Sequence, residues 1–267
     1  MADFPTSTWP KGGTAGAARF SCCGVEITAP AEGQGARFVM ELAEDKDDGV
    51  AVHLCNSYTL SLATTDTGYR DLLNRGVNLP DGTPLAWIGA ARTRTKVRPT
   101  RGPGLLWDLM RASVPPGSRH VLYGGSPHTL ESLTRRLLEE VPGLQIVGAI
   151  SPPFRDLSAT EEDEFVTEMD RLKPTYVWVG LGTPRQDVFV AKMAERSPAV
   201  FIAVGAAFDF AAGSKPEAPT FLHASGFEWL YRFASEPKRL WRRYTVGNAI
   251  FLRAVAVEEW RRIRGRS

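Results

Sequence analysis

The chain has 267 residues, 43% of them hydrophobic, and a formal net charge of +2. A chain of this size can bury one sizeable core, and it lacks the run of about eighteen apolar residues that marks a membrane-spanning helix. Its three cysteines, Cys22, Cys23 and Cys55, and its four histidines are spaced neither as a disulfide framework nor as a zinc site. We therefore expect reduced cysteines, and the spacing gives no support for a metal site, although folding could bring distant ligands together. No cofactor is expected.

The two ends of the chain differ in composition from its middle. Residues 1–18 are rich in Pro, Gly, Thr and Ala and lack the basic start and apolar run of a secretory signal. We expect this segment to be disordered and the protein to be cytoplasmic. Residues 19–225 are expected to form one α/β domain, and residues 226–267 a basic, aromatic appendage with helical character.

Apolar runs of strand length alternate along the chain with stretches of helical periodicity. This alternation is typical of a mostly parallel sheet with helices on both faces, and it predicts a Rossmann-like α/β fold. The predicted strands are 50–54, 77–79, 120–123, 144–149, 175–179 and 201–204, and the predicted helices are 57–74, 84–91, 127–140 and 160–172. Ser126 is the expected N-cap of the third of these helices. Residues 20–27 are a possible extension of the same sheet.

Polar and glycine residues follow the predicted strands. They are Asn56, Asp81, Gly124 with Gly125, the segment 180–186 and the segment 205–209. Since ligands of such sheets bind beyond the carboxyl ends of the strands, these positions together mark a candidate binding cleft. Taken singly, each glycine turn is more readily explained as a plain connection from a strand to a helix.

The cleft positions do not match the common nucleotide-binding and hydrolase motifs. Gly180-Leu181-Gly182 follows a strand, but Arg185 stands where a dinucleotide fingerprint has its third glycine. The chain has neither a Gly-x-x-x-x-Gly-Lys-Ser/Thr loop nor a Gly-x-Ser-x-Gly elbow. What remains is a set of backbone amides at helix starts, which suits a diphosphate.

The last part of the chain combines basic and aromatic residues. Residues 226–267 contain ten Lys and Arg against four Asp and Glu, a local charge of +6 that leaves −4 for the rest of the chain. Such a segment suits a phosphate-rich substrate, an anionic membrane surface or nucleic acid, and a solvated or docked helix explains it as well. No recognition helix or RNA-binding motif supports nucleic acid, so we expect no such partner.

A series of short motifs between residues 50 and 244 resembles a known family. The pieces are Asn56 after a strand, Pro80-Asp81-Gly82, Arg101 with Gly104, Tyr123-Gly124-Gly125, Gly180 to Asp187, Val204-Gly205 with Phe208-Asp209, Gly213, Ala218-Pro219, and Glu228-Trp229-Leu230-Tyr231-Arg232 continuing to Tyr244. In this order they resemble the WecG/TagA/CpsF glycosyltransferases of bacterial polysaccharide and teichoic acid synthesis. The resemblance implies inverting transfer of a sugar from a UDP-sugar to a saccharide linked through diphosphate to a polyprenol, at the inner face of the cell membrane and without an essential metal.

The resemblance also implies roles for particular residues. Asp81 matches the family's proposed base, although Pro80-Asp81-Gly82 is also a plain turn sequence. Gln186 matches a contact to the nucleotide-sugar, and its alternative is an exposed polar residue in the first turn of a helix. Further donor contacts are expected at Asn56, Gly124, Gly182 and Asp209. The diphosphate partners are expected to be Arg101, Arg232 and Arg239, because guanidinium groups form paired hydrogen bonds to phosphate oxygens.

Three positions depart from the family pattern. Leu54 stands where the family usually has Thr, Leu106 where it commonly has Asp, and Asp187 where it usually has Glu. The two leucines put donor-sugar contacts in question and leave open a second hypothesis, a nucleotide-sugar-binding or membrane-adaptor protein without turnover. The sequence does not choose among donor and acceptor sugars, and it allows a homo-oligomer.

Overall fold

The computed structural model describes residues 16–44, 48–215, 233 and 237–264, without the side chains of residues 237, 239 and 242. The strands are β1 Ala18–Cys22, β2 Val25–Ala29, β3 Val50–Cys55, β4 Val77–Pro80, β5 Arg119–Gly124, β6 Gln145–Ile150, β7 Tyr176–Gly180 and β8 Val200–Ala203. The helices are α1 Gly35–Leu42, α2 Ser57–Thr65, α3 Thr67–Asn74, α4 Thr83–Thr93, α5 Gly102–Ala112, α6 Pro127–Glu140, α7 Ala159–Leu172, α8 Arg185–Ala194, α9 Ala207–Ala211, α10 Pro237–Arg242 and α11 Asn248–Arg264, with a π-helix, Arg243–Gly247, between the last two.

Six strands form one parallel sheet in the order β4-β3-β8-β7-β5-β6. Side chains alternate between its two faces, as the period of a strand requires. Leu122 and Ile202 belong to the core beneath α1, α5 and α6, whereas Val121 and Phe201 belong to the core beneath α7 and α8. The α/β fold with helices on both faces of a mostly parallel sheet is therefore confirmed.

Strands β1 and β2 form a separate antiparallel hairpin. The possible extension of the large sheet by residues 20–27 is therefore wrong, although β2 packs beside β4. A side chain connects these two strands where a sheet would have backbone hydrogen bonds, since Asn78 Nδ2 donates to the Glu26 carbonyl at 3.0 Å. The hairpin begins at Ala18, the last residue of the segment expected to be disordered, and residues 1–15 lie outside the described part of the chain.

The predicted strands and helices lie within two residues of those observed, except for the predicted helix 57–74, and helices α1, α5 and α9 were not predicted. The predicted helix 57–74 is interrupted at Asp66, whose extended backbone ends α2 and whose carboxylate accepts the Tyr69 N–H as N-cap of α3. Helix α5 was not predicted, because its first turn contains Gly102, Pro103 and Gly104, which weaken a helical pattern. At α6 the predicted cap is confirmed, since Ser126 accepts from the Thr129 N–H.

Helices α10 and α11 account for most of the basic appendage that the structure describes. Helix α11 packs against α2, and its Phe251 is buried in the core formed with the hairpin. Leu240 is also buried, while the Leu230 position lies outside the described residues. Among the described helices, none is both long enough and apolar enough to cross a membrane.

Candidate active site

The carboxyl ends of five adjacent strands carry the residues that the sequence marked. Asn56 follows β3, Asp81 follows β4, and Gly205 lies just after β8. Gly182 follows β7, and Gly124 ends β5. Because the strands are parallel, all five residues lie along one edge of the sheet, which is where ligands bind in folds of this class.

Asn56 and Asp81 are in contact at this edge. The Asn56 Oδ1 accepts from the backbone N–H groups of Tyr58 and Thr59 at 3.1 and 3.2 Å, so it caps α2. Its Nδ2 donates to Asp81 Oδ2 at 3.4 Å, and the Asp81 N–H donates to the Cys55 carbonyl at 2.6 Å. Asn56 therefore fixes a helix start with one atom and orients the carboxylate with another.

The turn after Asp81 requires a glycine. Gly82 has a φ of +91°, a conformation that residues with a side chain rarely adopt, and α4 begins directly after it. A Cβ added there would meet only the Pro84 ring, at 3.9 Å. Pro80-Asp81-Gly82 is thus a strand-to-helix turn, as its composition suggests, and Asp81 is half-buried in it.

Arg101 lies at the same edge as Asp81. The preceding residue, Thr100, donates its N–H to the Pro80 carbonyl at 2.6 Å, which ties this loop to the end of β4. Arg101 is the N-cap of α5, and a Cβ added at the next residue, Gly102, would lie 3.3 Å from the Val204 carbonyl. The start of α5 therefore lies against the end of β8.

Four helix starts at this edge, those of α4, α5, α8 and α9, have no side-chain cap. The N-caps of α4 and α5, Gly82 and Arg101, make no side-chain hydrogen bond to their first turns. By contrast, Asn56 caps α2 and Ser126 caps α6. Backbone N–H groups at an uncapped helix start, together with the helix dipole, favour an anion such as a phosphate.

Gln186 is buried, so the exposed position considered for it is wrong. The side-chain Oε1 of Gln186 accepts the Gly182 N–H at 3.0 Å, while the backbone N–H of Gln186 donates to the Gly182 carbonyl at 3.0 Å. A Cβ added at Gly205 would lie 3.2 Å from the same Oε1. The side chain holds the loop after β7, and the Thr183-Pro184 peptide within this loop is cis. At Gly182 itself the space around an added Cβ is open.

Gly124 and Asp209 have structural explanations of their own. A Cβ on Gly124 would lie 2.7 Å from the backbone of Gly180, so the close approach of β5 and β7 requires glycine. Asp209 forms an ion pair with Lys215, Nζ to Oδ2 2.9 Å, in the segment after β8. A direct contact of either residue with a ligand stays a prediction.

A buried hydrogen-bond network lies beneath the carboxyl edge of the sheet, and the sequence did not predict it. The Asp187 carboxylate lies 3.0 Å from His53 Nδ1 and accepts from the Tyr69 hydroxyl at 2.9 Å. Burial, followed by the charge of Asp187, raises the pKa of Tyr69 well above its usual value. The network joins α8 to β3 and α3, and no local pattern signals it because the partners lie 118 and 134 residues apart.

The departures at Leu54 and Leu106 lie in the apolar core. Leu106 is fully buried, and Leu54 packs against Gly102, where an added Cβ would lie 3.3 Å from it. Both residues belong to the core cluster beneath α1, α5 and α6. Packing inside the domain thus accounts for an apolar residue at each position.

The C-terminal helices lie next to Asn56. Asn248 accepts from the Ser57 hydroxyl at 2.9 Å, and the Arg243 guanidinium lies 5.1 Å from the centre of the Tyr58 ring. The π-helix and α11 are therefore docked on the helix that Asn56 caps. The predicted diphosphate partner Arg232 lies outside the described residues, and so does the side chain of Arg239.

Comparison with known proteins is consistent with this geometry. A model of the glycosyl transferase WecG/TagA/CpsF family matches residues 20–265. Three relatives carry the name N-acetylglucosaminyldiphosphoundecaprenol N-acetyl-beta-D-mannosaminyltransferase. The chain is 28% identical to the Bacillus spizizenii protein over 166 residues, which are 62% of each chain. It is 25% identical to the Bacillus subtilis protein over 201 residues, 74% of this chain and 76% of that one.

The Staphylococcus aureus (strain MW2) relative is 25% identical over 219 residues, which are 80% of this chain and 82% of its own. The family match begins in the hairpin and ends after α11, so it includes every strand of the large sheet and the docked C-terminal helices. The resemblance seen in the short motifs is thereby confirmed, and the chain belongs to the WecG/TagA/CpsF family of glycosyl transferases.

Proposed function

We propose that this protein transfers a sugar, with inversion, from a UDP-sugar to a saccharide carried on a polyprenyl diphosphate. The observation that carries the proposal is the contact between Asn56 and Asp81 at the open carboxyl edge of the sheet. Membership of the glycosyl transferase family supports the reaction type. The printed names of the relatives, which contain a diphosphoundecaprenol-linked sugar, support the class of acceptor.

Asp81 is the proposed general base. It takes the proton from the acceptor hydroxyl as that oxygen attacks C1 of the donor sugar, and the bond from C1 to the UDP oxygen breaks. A single displacement of this kind inverts the configuration at C1. A well-placed base contributes about a hundred- to ten-thousand-fold in rate. The hydrogen bond from Asn56 holds the carboxylate in one orientation and so favours this role.

Binding of the donor diphosphate is assigned to Arg101 and the uncapped starts of α4 and α5. A guanidinium and backbone N–H groups stabilise the negative charge that develops on the leaving UDP. Arg232 and Arg239 are proposed to add charge from the appendage. The remaining donor contacts are proposed at Asn56, Gly124, Gly182, Gln186 and Asp209. Of these, Gly182 has open space around it, and Gln186 fixes the conformation of its loop.

The outer face of α11 is proposed to bind the anionic lipids of the inner face of the cell membrane. Leu252, Trp260 and Ile263 are 63%, 54% and 70% exposed, and they recur at helical spacing on one side. Arg253 and Arg261 are exposed beside them. Apolar side chains flanked by arginines are typical of helices that lie in the interface of anionic lipid, where each basic residue contributes about 1 kcal/mol.

The reaction is tested by measuring UDP release from a panel of UDP-sugars that includes UDP-N-acetylmannosamine. The purified full chain is assayed with and without a polyprenyl-diphosphate-linked N-acetylglucosamine, and the lipid product is identified by mass spectrometry. We expect release only when the acceptor is present, together with a product heavier by one sugar. UDP-sugar binding without any transfer would contradict the proposal and favour the non-catalytic binding or adaptor protein.

A further inference from the structure

The turn of the β1–β2 hairpin contains two adjacent cysteines. Cys22 ends β1, and Cys23 and Gly24 form the two-residue connection to β2. Their φ angles are +55° at Cys23 and +75° at Gly24, the pattern of a type I′ turn, in which Asn-Gly is the favoured pair. A cysteine is uncommon at a positive φ, so backbone preference does not explain Cys23.

A carboxylate from the other end of the chain completes a group of three. Glu258 lies on α11, and its Oε2 accepts the Cys23 N–H at 2.9 Å across 235 residues of sequence. The two sulfur atoms and a Glu258 carboxylate oxygen all lie within 4.8 Å of one another. The spacing of the cysteines in the sequence could not reveal this group, because the third member comes from α11.

We propose that Cys22, Cys23 and Glu258 bind a zinc ion. Zinc takes thiolate and carboxylate ligands in tetrahedral geometry, with metal–ligand distances of about 2.3 Å to sulfur and 2.0–2.2 Å to oxygen. Those distances place tetrahedral ligands about 3.5–3.8 Å apart, and the three ligand atoms of the group lie within 4.8 Å of one another. Two sulfur ligands favour zinc over magnesium or calcium, and a water completes the four ligands.

A buried cation lies beside the group. The Arg92 guanidinium is 3.2 Å from Glu258 Oε2, and its Nε donates to Glu259 Oε1 at 2.8 Å, so its charge is shared between the two carboxylates. Two thiolates and the Glu258 carboxylate around a divalent ion leave one net negative charge, which Arg92 lowers in part. The contact of Arg92 and that of the Cys23 N–H orient Glu258, and Oε1 is the oxygen assigned to the metal.

The consequence of zinc binding is structural. The ion joins the hairpin to α11 and so strengthens the docking of the C-terminal helices on α2. Arg92 stands at the end of α4, whereas Asp81 precedes the start of that helix, so the zinc ligands lie away from the proposed base. The zinc ligands are therefore distinct from the residues proposed to carry out the glycosyl transfer.

The test is a titration of the reduced, metal-free full chain with Co²⁺, which reports its ligands by absorption. We expect one equivalent to give a thiolate-to-cobalt charge-transfer band and tetrahedral visible bands, both removed by Zn²⁺. Cys22→Ser and Cys23→Ser should each abolish the charge-transfer band or shift it, and Glu258→Gln should weaken binding at least tenfold. Cys55→Ser is the matched control, because Cys55 is a buried cysteine outside the group, and it should bind like the wild type.

Two results would overturn the zinc site. One is the absence of a charge-transfer band in the wild-type protein, and the other is a band that keeps its position and intensity in both Cys22→Ser and Cys23→Ser. Cys22 is fully buried, so circular dichroism must show that its variant is folded. Glu258 is more accessible than Cys22, so the Glu258→Gln variant allows a second measurement, of thermal stability. Zn²⁺ should raise the melting temperature of the wild type and not that of this variant. An equal rise in both would also count against the site.

Discussion

His53 and Asp187 join strand β3 to helix α8 through a 3.0 Å contact between imidazole Nδ1 and carboxylate Oδ1. Both side chains are buried, and the second carboxylate oxygen accepts from Tyr69. Asp187 directly follows Gln186, whose amide holds the Gly182 loop. The buried contact thus fixes the first turn of α8 and, through it, one wall of the proposed donor site.

Asp187→Ala should lower the free energy of unfolding by about 3–5 kcal/mol, because it leaves His53 and the Tyr69 hydroxyl buried without their partner. Urea unfolding measures the change. The matched control is Asp163→Ala, which removes a surface ion pair with Arg196 and should cost at most about 1 kcal/mol. Similar losses in the two variants would show that the network does not stabilise the fold.

Gln186→Ala should weaken binding of the UDP-sugar about tenfold, because the Gly182 loop loses the hydrogen bond that fixes it, a loss of about 1.4 kcal/mol. Isothermal titration calorimetry with the donor identified by UDP release gives the affinity directly. Gln145→Ala, which changes an exposed glutamine at the start of β6, serves as the control. Unchanged affinity in Gln186→Ala would remove Gln186 and its loop from the donor site.

Stability should fall in mild acid because of His120. Burial lowers the pKa of this histidine to about 4, and its ring lies between the Ser113 hydroxyl and the Trp178 N–H. The unfolded chain has a histidine pKa of about 6.5 and therefore binds more protons between these two values. The stabilisation is complete above pH 6.5 and is lost as the pH falls towards 4, by about 3 kcal/mol over the whole window.

Urea unfolding from pH 7.5 to pH 4.5 checks this dependence. His120→Asn should flatten the decline in unfolding free energy, whereas the same change at the exposed His128 should leave the slope as it is. Equal slopes in the wild type and His120→Asn would assign the acid sensitivity to other groups.

The double variant Trp260→Ser, Ile263→Ser should bind liposomes containing phosphatidylglycerol at least tenfold more weakly than the wild type. The two changes remove about 2–3 kcal/mol of apolar burial from the exposed face of α11. Liposome flotation or light scattering measures the fraction of protein bound, and neither method relies on the fluorescence of the tryptophan that is replaced. Leu138→Ser, an exposed apolar residue on α6, is the control and should bind normally. Undiminished binding of the double variant would show that this face does not contact the membrane.

Local patterns in the sequence predicted the large sheet because its strands are short apolar runs that end at turn residues. Parallel strands share one carboxyl edge, so the grouping of Asn56 with Asp81 followed from the fold class. Helix α5 was missed because its start contains Gly102, Pro103 and Gly104. A proline fits the first turn of a helix, but it resembles a break when the sequence is read alone.

Other features depend on contacts between distant parts of the chain. The sequence placed Gln186 correctly at a helix start, but it could not show that the side chain turns inward to Gly182. The partners of Asp187 and the group of Cys22, Cys23 and Glu258 are likewise set by tertiary packing. The role of the Leu54 position could be judged only once the core beneath α5 was seen.

The proposed mechanism depends most directly on Asp81. The decisive measurement is kcat for acceptor-dependent UDP release by the wild type, Asp81→Asn and the control Asp71→Asn, an exposed carboxylate on α3. Donor affinity of each is measured by calorimetry. We predict that Asp81→Asn lowers kcat at least a hundredfold with nearly unchanged donor affinity, while Asp71→Asn behaves like the wild type. A kcat of Asp81→Asn within a few-fold of the wild-type value would contradict the assignment of Asp81 as the base.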